Sequence, residues 1–130
     1  MAYVVSDVLI RIKNASLARR RTVILPYAKL AKEMCRVLIH EGFLQQVTEE
    51  TIDKKRVLVA EITYDKRLPV LTDVKILSKP SLRQYAKALD GARLKGKGIG
   101  ITVVSTNKGV MTGKEASQKG LGGELLFTVW

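Results

Sequence analysis

Apolar positions at helical spacing open the chain. Val5, Val8, Leu9 and Ile12 fall on one face of a 3.6-residue period, and Ser6 has the side chain of an N-cap. This pattern predicts a first helix ending near Ala15. Arg19, Arg20 and Arg21 follow, and a short strand over 22–25 stops at Pro26. Tyr27, Leu30, Ala31, Met34, Cys35 and Leu38 then mark the apolar face of a second helix, with Gly42 where a C-terminal cap belongs. Residues 43–47 and 56–63 read as the strands of a hairpin joined by the polar stretch 48–55.

The pattern changes after 65–72, a segment of mixed charge that contains Pro69. It divides the chain into an N-terminal α/β lobe, 1–68, and a β-rich C-terminal lobe, 69–130. In the second lobe, 73–77 and 82–88 read as short strands around a Lys79-Pro80-Ser81 turn. Residues 99–105 form a β-branched strand, and 124–130 form another at the end of the chain. Thr112 and Glu115 have the spacing of a capping box, so a short helix is expected to begin there. The fold class is therefore α+β, with one short helix in a mostly β second lobe.

Charge adds a partner to this picture. The 130 residues contain 23 Lys and Arg against 12 Asp and Glu, a formal net charge of +11. Such an excess points to a polyanion. The stretch 75–97 is the most lopsided: Lys75, Lys79, Arg83, Lys87, Arg93, Lys95 and Lys97 face only Asp90. Aromatic residues are only 5% of the chain, fewer than a base-stacking single-strand binder would want. The alternative is a solvated surface kept soluble by its charge.

Catalytic and metal chemistry find little support. A single histidine, His40, leaves neither a His-based triad nor a metal cluster to build. Its place near the end of the second helix suits the helix dipole. Cys35 is the only cysteine and has apolar helical neighbours, which fits a buried structural thiol. It allows no intrachain disulfide, so a reducing intracellular setting is expected. The N-terminal segment is broken by Asp7, Arg11 and Lys13 and is neither a signal peptide nor a membrane span. Gly96, Gly98 and Gly100 form a GxGxG run, but they precede a strand instead of following one, the wrong order for a dinucleotide loop. The expectation is a chain without enzymatic activity, cofactor, metal or small-molecule substrate.

Ser105-Thr106-Asn107-Lys108-Gly109 carries the most specific chemistry. Small polar residues leave a strand and enter a turn, so the backbone can approach a partner closely. Their hydroxyl and amide groups both donate and accept hydrogen bonds. A-form RNA presents 2′-hydroxyls and base edges in a wide, shallow minor groove, which suits such a surface. The Thr106 hydroxyl is expected to bond a sugar or a base edge. Lys108 can reach a phosphate, and the N-terminus of the following helix also favours anions.

The run Gly-Ile-Gly-Ile-Thr-Val-Val-Ser-Thr-Asn-Lys-Gly-Val-Met-Thr-Gly-Lys-Glu-Ala from Gly98, followed by Gly-Leu-Gly-Gly-Glu-Leu-Leu from Gly120 and the terminal Trp130, closely resembles small-subunit ribosomal protein eight of the bacterial type. Asp-Val-Leu-Ile-Arg-Ile-Lys-Asn-Ala from Asp7, Glu-Gly-Phe-Leu from Glu41 and Ser-Lys-Pro-Ser-Leu-Arg-Gln-Tyr from Ser78 extend the likeness along the chain. The resemblance implies two α/β lobes in close contact. It also implies binding to a helical stem in the central domain of small-subunit ribosomal RNA, early in assembly, among neighbouring small-subunit proteins in a cytoplasmic ribosome.

The family's minor-groove loop carries over to Ser105, Thr106, Asn107, Lys108 and Gly109, with the Gly122-Gly123-Glu124 turn beside it. Its central basic hairpin carries over to Lys79, Pro80, Arg83 and Tyr85, and its first-lobe contacts to Asp7, Arg11, Lys13 and Asn14. Two positions depart from the pattern: Asn107 stands where the family usually has serine, and Gly113 where an Asp commonly follows the Met-Thr pair. A free regulatory protein that binds a similar stem in messenger RNA would have the same sequence features.

Overall fold

The computed structural model describes residues 3–96 and 100–130. The chain divides into two compact units, Met1–Thr72 and Asp73–Trp130.

In the first unit, α1 (Val4–Leu17) and α2 (Lys29–His40) pack on a three-stranded antiparallel sheet of β1 (Thr22–Pro26), β2 (Leu44–Ile52) and β3 (Lys55–Ile62), in the order β1-β3-β2. A short hairpin of β4 (Tyr64–Asp65) and β5 (Leu68–Pro69) follows. Most of the expected helical stripe residues are buried; Tyr27 lies ahead of α2 and is exposed, and Leu30 is half-buried. Val5, Val8, Leu9 and Ile12 of α1, and Ala31, Met34, Cys35 and Leu38 of α2, are all buried. With Leu25, Leu58 and Ala60 they form the core of this unit. Fully burying one such Leu or Ile side chain stabilises the fold by about 1.5–3 kcal/mol.

Three local expectations are corrected. Helix α1 begins at Val4, so Ser6 lies inside its first turn and the N-cap is Tyr3, whose side chain makes no capping bond. The helix runs on to Leu17 and closes with Arg19 in the left-handed region (φ 56); Arg20 N–H donates to the Ala15 carbonyl and Arg19 N–H to that of Ser16. The polar stretch 48–55 is mostly strand. β2 and β3 pair from Leu44–Ile62 to Ile52–Lys55, leaving only Asp53 and Lys54 as the turn, both with positive φ (50 and 66). An edge strand exposed along most of its length needs no apolar alternation, so polarity there does not mark a loop.

In the second unit a single sheet carries β6 (Val74–Ile76), β10 (Gly123–Val129), β8 (Ile101–Thr106) and β9 (Gly109–Thr112) in that order, with β7 (Tyr85–Ala86) also on β10. One face packs Ala86, Val104, Met111 and Leu125 against Leu94 of α3 (Gly91–Lys95) and Ala116 of α4 (Gly113–Gln118). Thr112 caps α4 as expected, accepting from the Glu115 N–H at 3.1 Å. The expected strand at 99–105 is β8; Ile99, like Lys97 and Gly98 of the glycine run, lies outside the described residues.

The basic hairpin is built differently from the expectation. β6 and β7 do not pair with each other. Both lie antiparallel on the same edge of β10, β6 against Phe127–Val129 and β7 against Gly123 and Glu124. The chain between them continues the pairing through Leu77 N–H to Leu126 O (3.0 Å) and Leu125 N–H to Gln84 O (2.8 Å). Residues 78–83 are therefore a loop extruded from one interrupted edge strand. Ser78, fully buried, clasps its neck: its hydroxyl accepts from the Gln84 N–H at 2.8 Å and donates to the Gln84 carbonyl at 3.2 Å. The far end is a tight turn in which Lys79 and Leu82 exchange both backbone hydrogen bonds at 3.0 Å.

Candidate nucleic-acid interface

The β8–β9 hairpin ends in Thr106-Asn107-Lys108-Gly109. Thr106 pairs with Gly109, and neither Asn107 nor Lys108 has positive φ; the left-handed step falls to Gly109 (φ 112). This is a type I turn closed by a glycine bulge, which explains Gly at 109. The Thr106 hydroxyl organises it. Its Oγ1 donates to the Gly109 carbonyl at 2.9 Å and accepts from the Lys108 N–H at 3.1 Å. Its proton is thus directed into the turn, which leaves one lone pair of the oxygen for a further partner. Asn107 and Lys108 are exposed at the tip, with Ser105, Thr106 and Gly109 partly exposed beneath them.

Ladder register gathers the neighbours. Ser105 faces Glu124, and Glu124 faces Tyr85; one step on, Thr106 faces Gly123, and Gly123 faces Ala86. Residues directly opposite across strands share a face, so Ser105, Glu124 and Tyr85 form a polar row across β8, β10 and β7. Tyr85 is 59% exposed. Arg83 leans onto this row, its Nη1 3.2 Å from Glu124 Oε2. That ion pair offsets the one acidic charge of the row. The strands pass closely at Gly123: a Cβ there would stand 2.1 Å from the Ser105 carbonyl oxygen.

The structure thus brings together Ser105, Thr106, Asn107, Lys108 and Gly109 with Gly122, Gly123, Glu124, Arg83 and Tyr85. Lys79 and Pro80 are exposed at the far end of the extruded loop, tied to the row through the Ser78 clasp. Asp7, Arg11, Lys13 and Asn14 lie on α1 in the first unit. Arg11 Nε bonds Asp7 Oδ1 at 2.7 Å, and its Nη1 donates to the Ile24 carbonyl at 3.2 Å.

At the start of α4 the chain packs closely on α3. Gly113 is buried, and a Cβ at that position would stand 1.6 Å from the Leu94 carbonyl oxygen. The backbone of α3 occupies the space, which accounts for glycine where an acid would not fit. Ser78 and Gln84, which hold the extruded loop in shape, were not singled out from sequence. A buried serine between basic residues gives no local signal.

Cys35 is buried, and burial pushes its thiol up from 9.0 to about 12. It is protonated and unreactive at neutral pH. Among the described residues, no group of three or more His, Cys, Asp or Glu could hold a metal ion, and no helix is long and apolar enough to cross a membrane.

The sequence profile of the family described as ribosomal protein S8 matches residues 4–130. The chain is 41% identical over 128 residues to a small ribosomal subunit protein uS8 of Trichormus variabilis, covering 97% of this chain and 96% of that protein. The uS8 protein of Thermosynechococcus vestitus is also 41% identical, over the same shares. That of Caldanaerobacter subterraneus is 42% identical over 127 residues, again covering 97% and 96%.

Proposed function

The chain belongs to the ribosomal protein S8 family, and from that premise we propose that it binds a helical stem in the central domain of small-subunit ribosomal RNA and supports assembly of the subunit. The single observation that carries this reading is the polar row of Ser105, Glu124 and Tyr85 lying directly beneath the Ser105–Gly109 tip. A narrow tip of small residues enters a shallow minor groove, where the Ser105 hydroxyl, the Asn107 amide and the free lone pair of Thr106 meet 2′-hydroxyls and base edges. Lys108, Lys79 and the basic surface around them meet phosphates, which supplies affinity without sequence information. Glu124 can sit on such a face because Arg83 neutralises it.

The division of labour follows from physics. The net charge of +11 draws the chain to any RNA. The fixed tip geometry selects a stem, because a groove of the wrong width or an absent 2′-hydroxyl leaves buried polar groups unpaired. The partners are then the ribosomal RNA and neighbouring small-subunit proteins in the cytoplasm. The test is titration of the purified protein with the central-domain stem and with a duplex RNA of equal length and unrelated sequence. The reading predicts tighter binding to the stem at physiological salt; equal binding to both contradicts it.

A further inference from the structure

A second basic surface lies in the first unit, on residues that neither the family likeness nor the tip accounts for. The Arg19-Arg20-Arg21 run leaves α1, and three hydrogen bonds lace it to the chain around the β4–β5 hairpin. The Arg21 carbonyl accepts from the Ile62 N–H at 2.9 Å, the Arg20 carbonyl accepts from the Tyr64 hydroxyl, and Arg19 Nη1 donates to the Arg67 carbonyl at 3.0 Å. This brings Arg19, Arg20 and Arg21 beside Lys66 and Arg67, and all five are exposed. The acids near them are Asp65 in the same hairpin and Glu61, whose Oε1 stands 3.8 Å from Arg21 Nε.

The backbone gives a second, independent observation. Arg19 (φ 56), Lys66 (φ 52) and Arg67 (φ 70) all occupy the left-handed region. Arg19 is the residue after a helix C-cap, a position that favours glycine; Lys66 and Arg67 are the two central residues of a mirror-image hairpin turn, where Asn-Gly is the relaxed choice. The chain thus places long cations at three positions where a small residue would relieve strain. Asp53 and Lys54 share this backbone state in the β2–β3 turn, but only here do three such cations gather beside two further arginines.

We propose that Arg19, Arg20, Arg21, Lys66 and Arg67 form a second RNA contact that grips phosphates of the ribosomal RNA backbone. Four of the five are arginines, whose planar forks hold phosphate oxygens in bidentate pairs. Two short turns rigidify their backbones, so less freedom is lost on binding. The inference rests on the RNA-binding reading above.

The test is the triple variant Arg19→Gly, Lys66→Asn, Arg67→Gly, which gives both turns the residues they prefer and removes three charges. It is compared with the parent for thermal melting and for affinity to a central-domain fragment of the ribosomal RNA across a salt series. The expected result is a melting temperature at or above the parent's, together with weaker binding and a salt slope smaller by about three, about one per lost phosphate contact. The pair Arg20→Gln, Arg21→Gln leaves the left-handed positions untouched and is expected to lower the slope by about two. Unchanged affinity and slope in both variants overturn the inference. A parent that fails to prefer the stem over unrelated duplex sinks the RNA reading itself, a separate result seen before any variant is measured.

Discussion

Gly123 of β10 crosses the Ser105 carbonyl so closely that a methyl group on its Cα would stand 2.1 Å from that oxygen. The partner atom is backbone in a paired strand and cannot rotate away. Gly123→Ala must therefore push β10 off β8 at the row that carries Ser105, Glu124 and Tyr85. Overpacking of this kind costs about 1–3 kcal/mol, occasionally more. Thermal melting is expected to register that loss, and stem affinity is expected to fall by more than the loss of folded protein explains.

Arg83 and Glu124 should be coupled in binding. Arg83→Ala removes a cation and also leaves the Glu124 carboxylate without the partner seen at 3.2 Å. Stem affinity is expected to drop. Adding Glu124→Gln should recover part of it, because the exposed acid is then gone. A double-mutant cycle by filter binding checks this, and strictly additive effects would count against the pairing as a feature of the interface.

Ser78→Ala tests the clasp of the extruded loop. The Ser78 hydroxyl serves both the Gln84 N–H and its carbonyl, and Ser78 is fully buried. The Gln84 carbonyl keeps the Leu125 N–H, but leaving the part-buried Gln84 N–H unsatisfied costs about 1–3 kcal/mol. Hydrogen exchange of the Gln84 amide should accelerate selectively, since that N–H loses its acceptor.

Cys35 gives a pH prediction. Its thiol titrates at about 12 in the fold against 9.0 as its ordinary value. The folded pKa is the raised one, so the stability it contributes is complete below pH 9 and is lost as pH rises toward 12. Within that window the unfolded chain releases a proton that the folded chain retains, at up to about 1.4 kcal/mol per pH unit. Urea melts from pH 8 to 10.5 should show a falling midpoint, and Cys35→Ala should flatten that limb while lowering stability at pH 7.

Much of this was legible in the sequence where the cause is local. The stripe Ala31, Met34, Cys35 and Leu38 repeats at helical period and is buried. Thr112 and Glu115 stand at capping distance and Thr112 does cap. Helix α3 has a local signal of the same kind: Asp90 accepts from the Arg93 N–H at 3.2 Å, an N-cap ahead of Gly91–Lys95. The interrupted strand carried none. Two short extended segments around a proline turn look alike whether they pair with each other or both pair with β10, a distant part of the chain. The same holds for the interface. The Ser105–Gly109 run announced itself as a polar tip, but its alignment with Glu124 and Tyr85 is a matter of register among three strands.

The most direct measurement of the central claim is the affinity of Thr106→Arg for the central-domain stem, with melting to confirm that the variant is folded. The substitution adds a positive charge at the tip while placing a long side chain where the backbone must approach the groove. It also removes the hydroxyl that bonds Gly109 and Lys108. If close approach of a shaped tip carries recognition, the folded variant binds the stem more weakly than the parent despite its extra charge. If charge alone carries it, the variant binds more tightly, and that result would contradict the account.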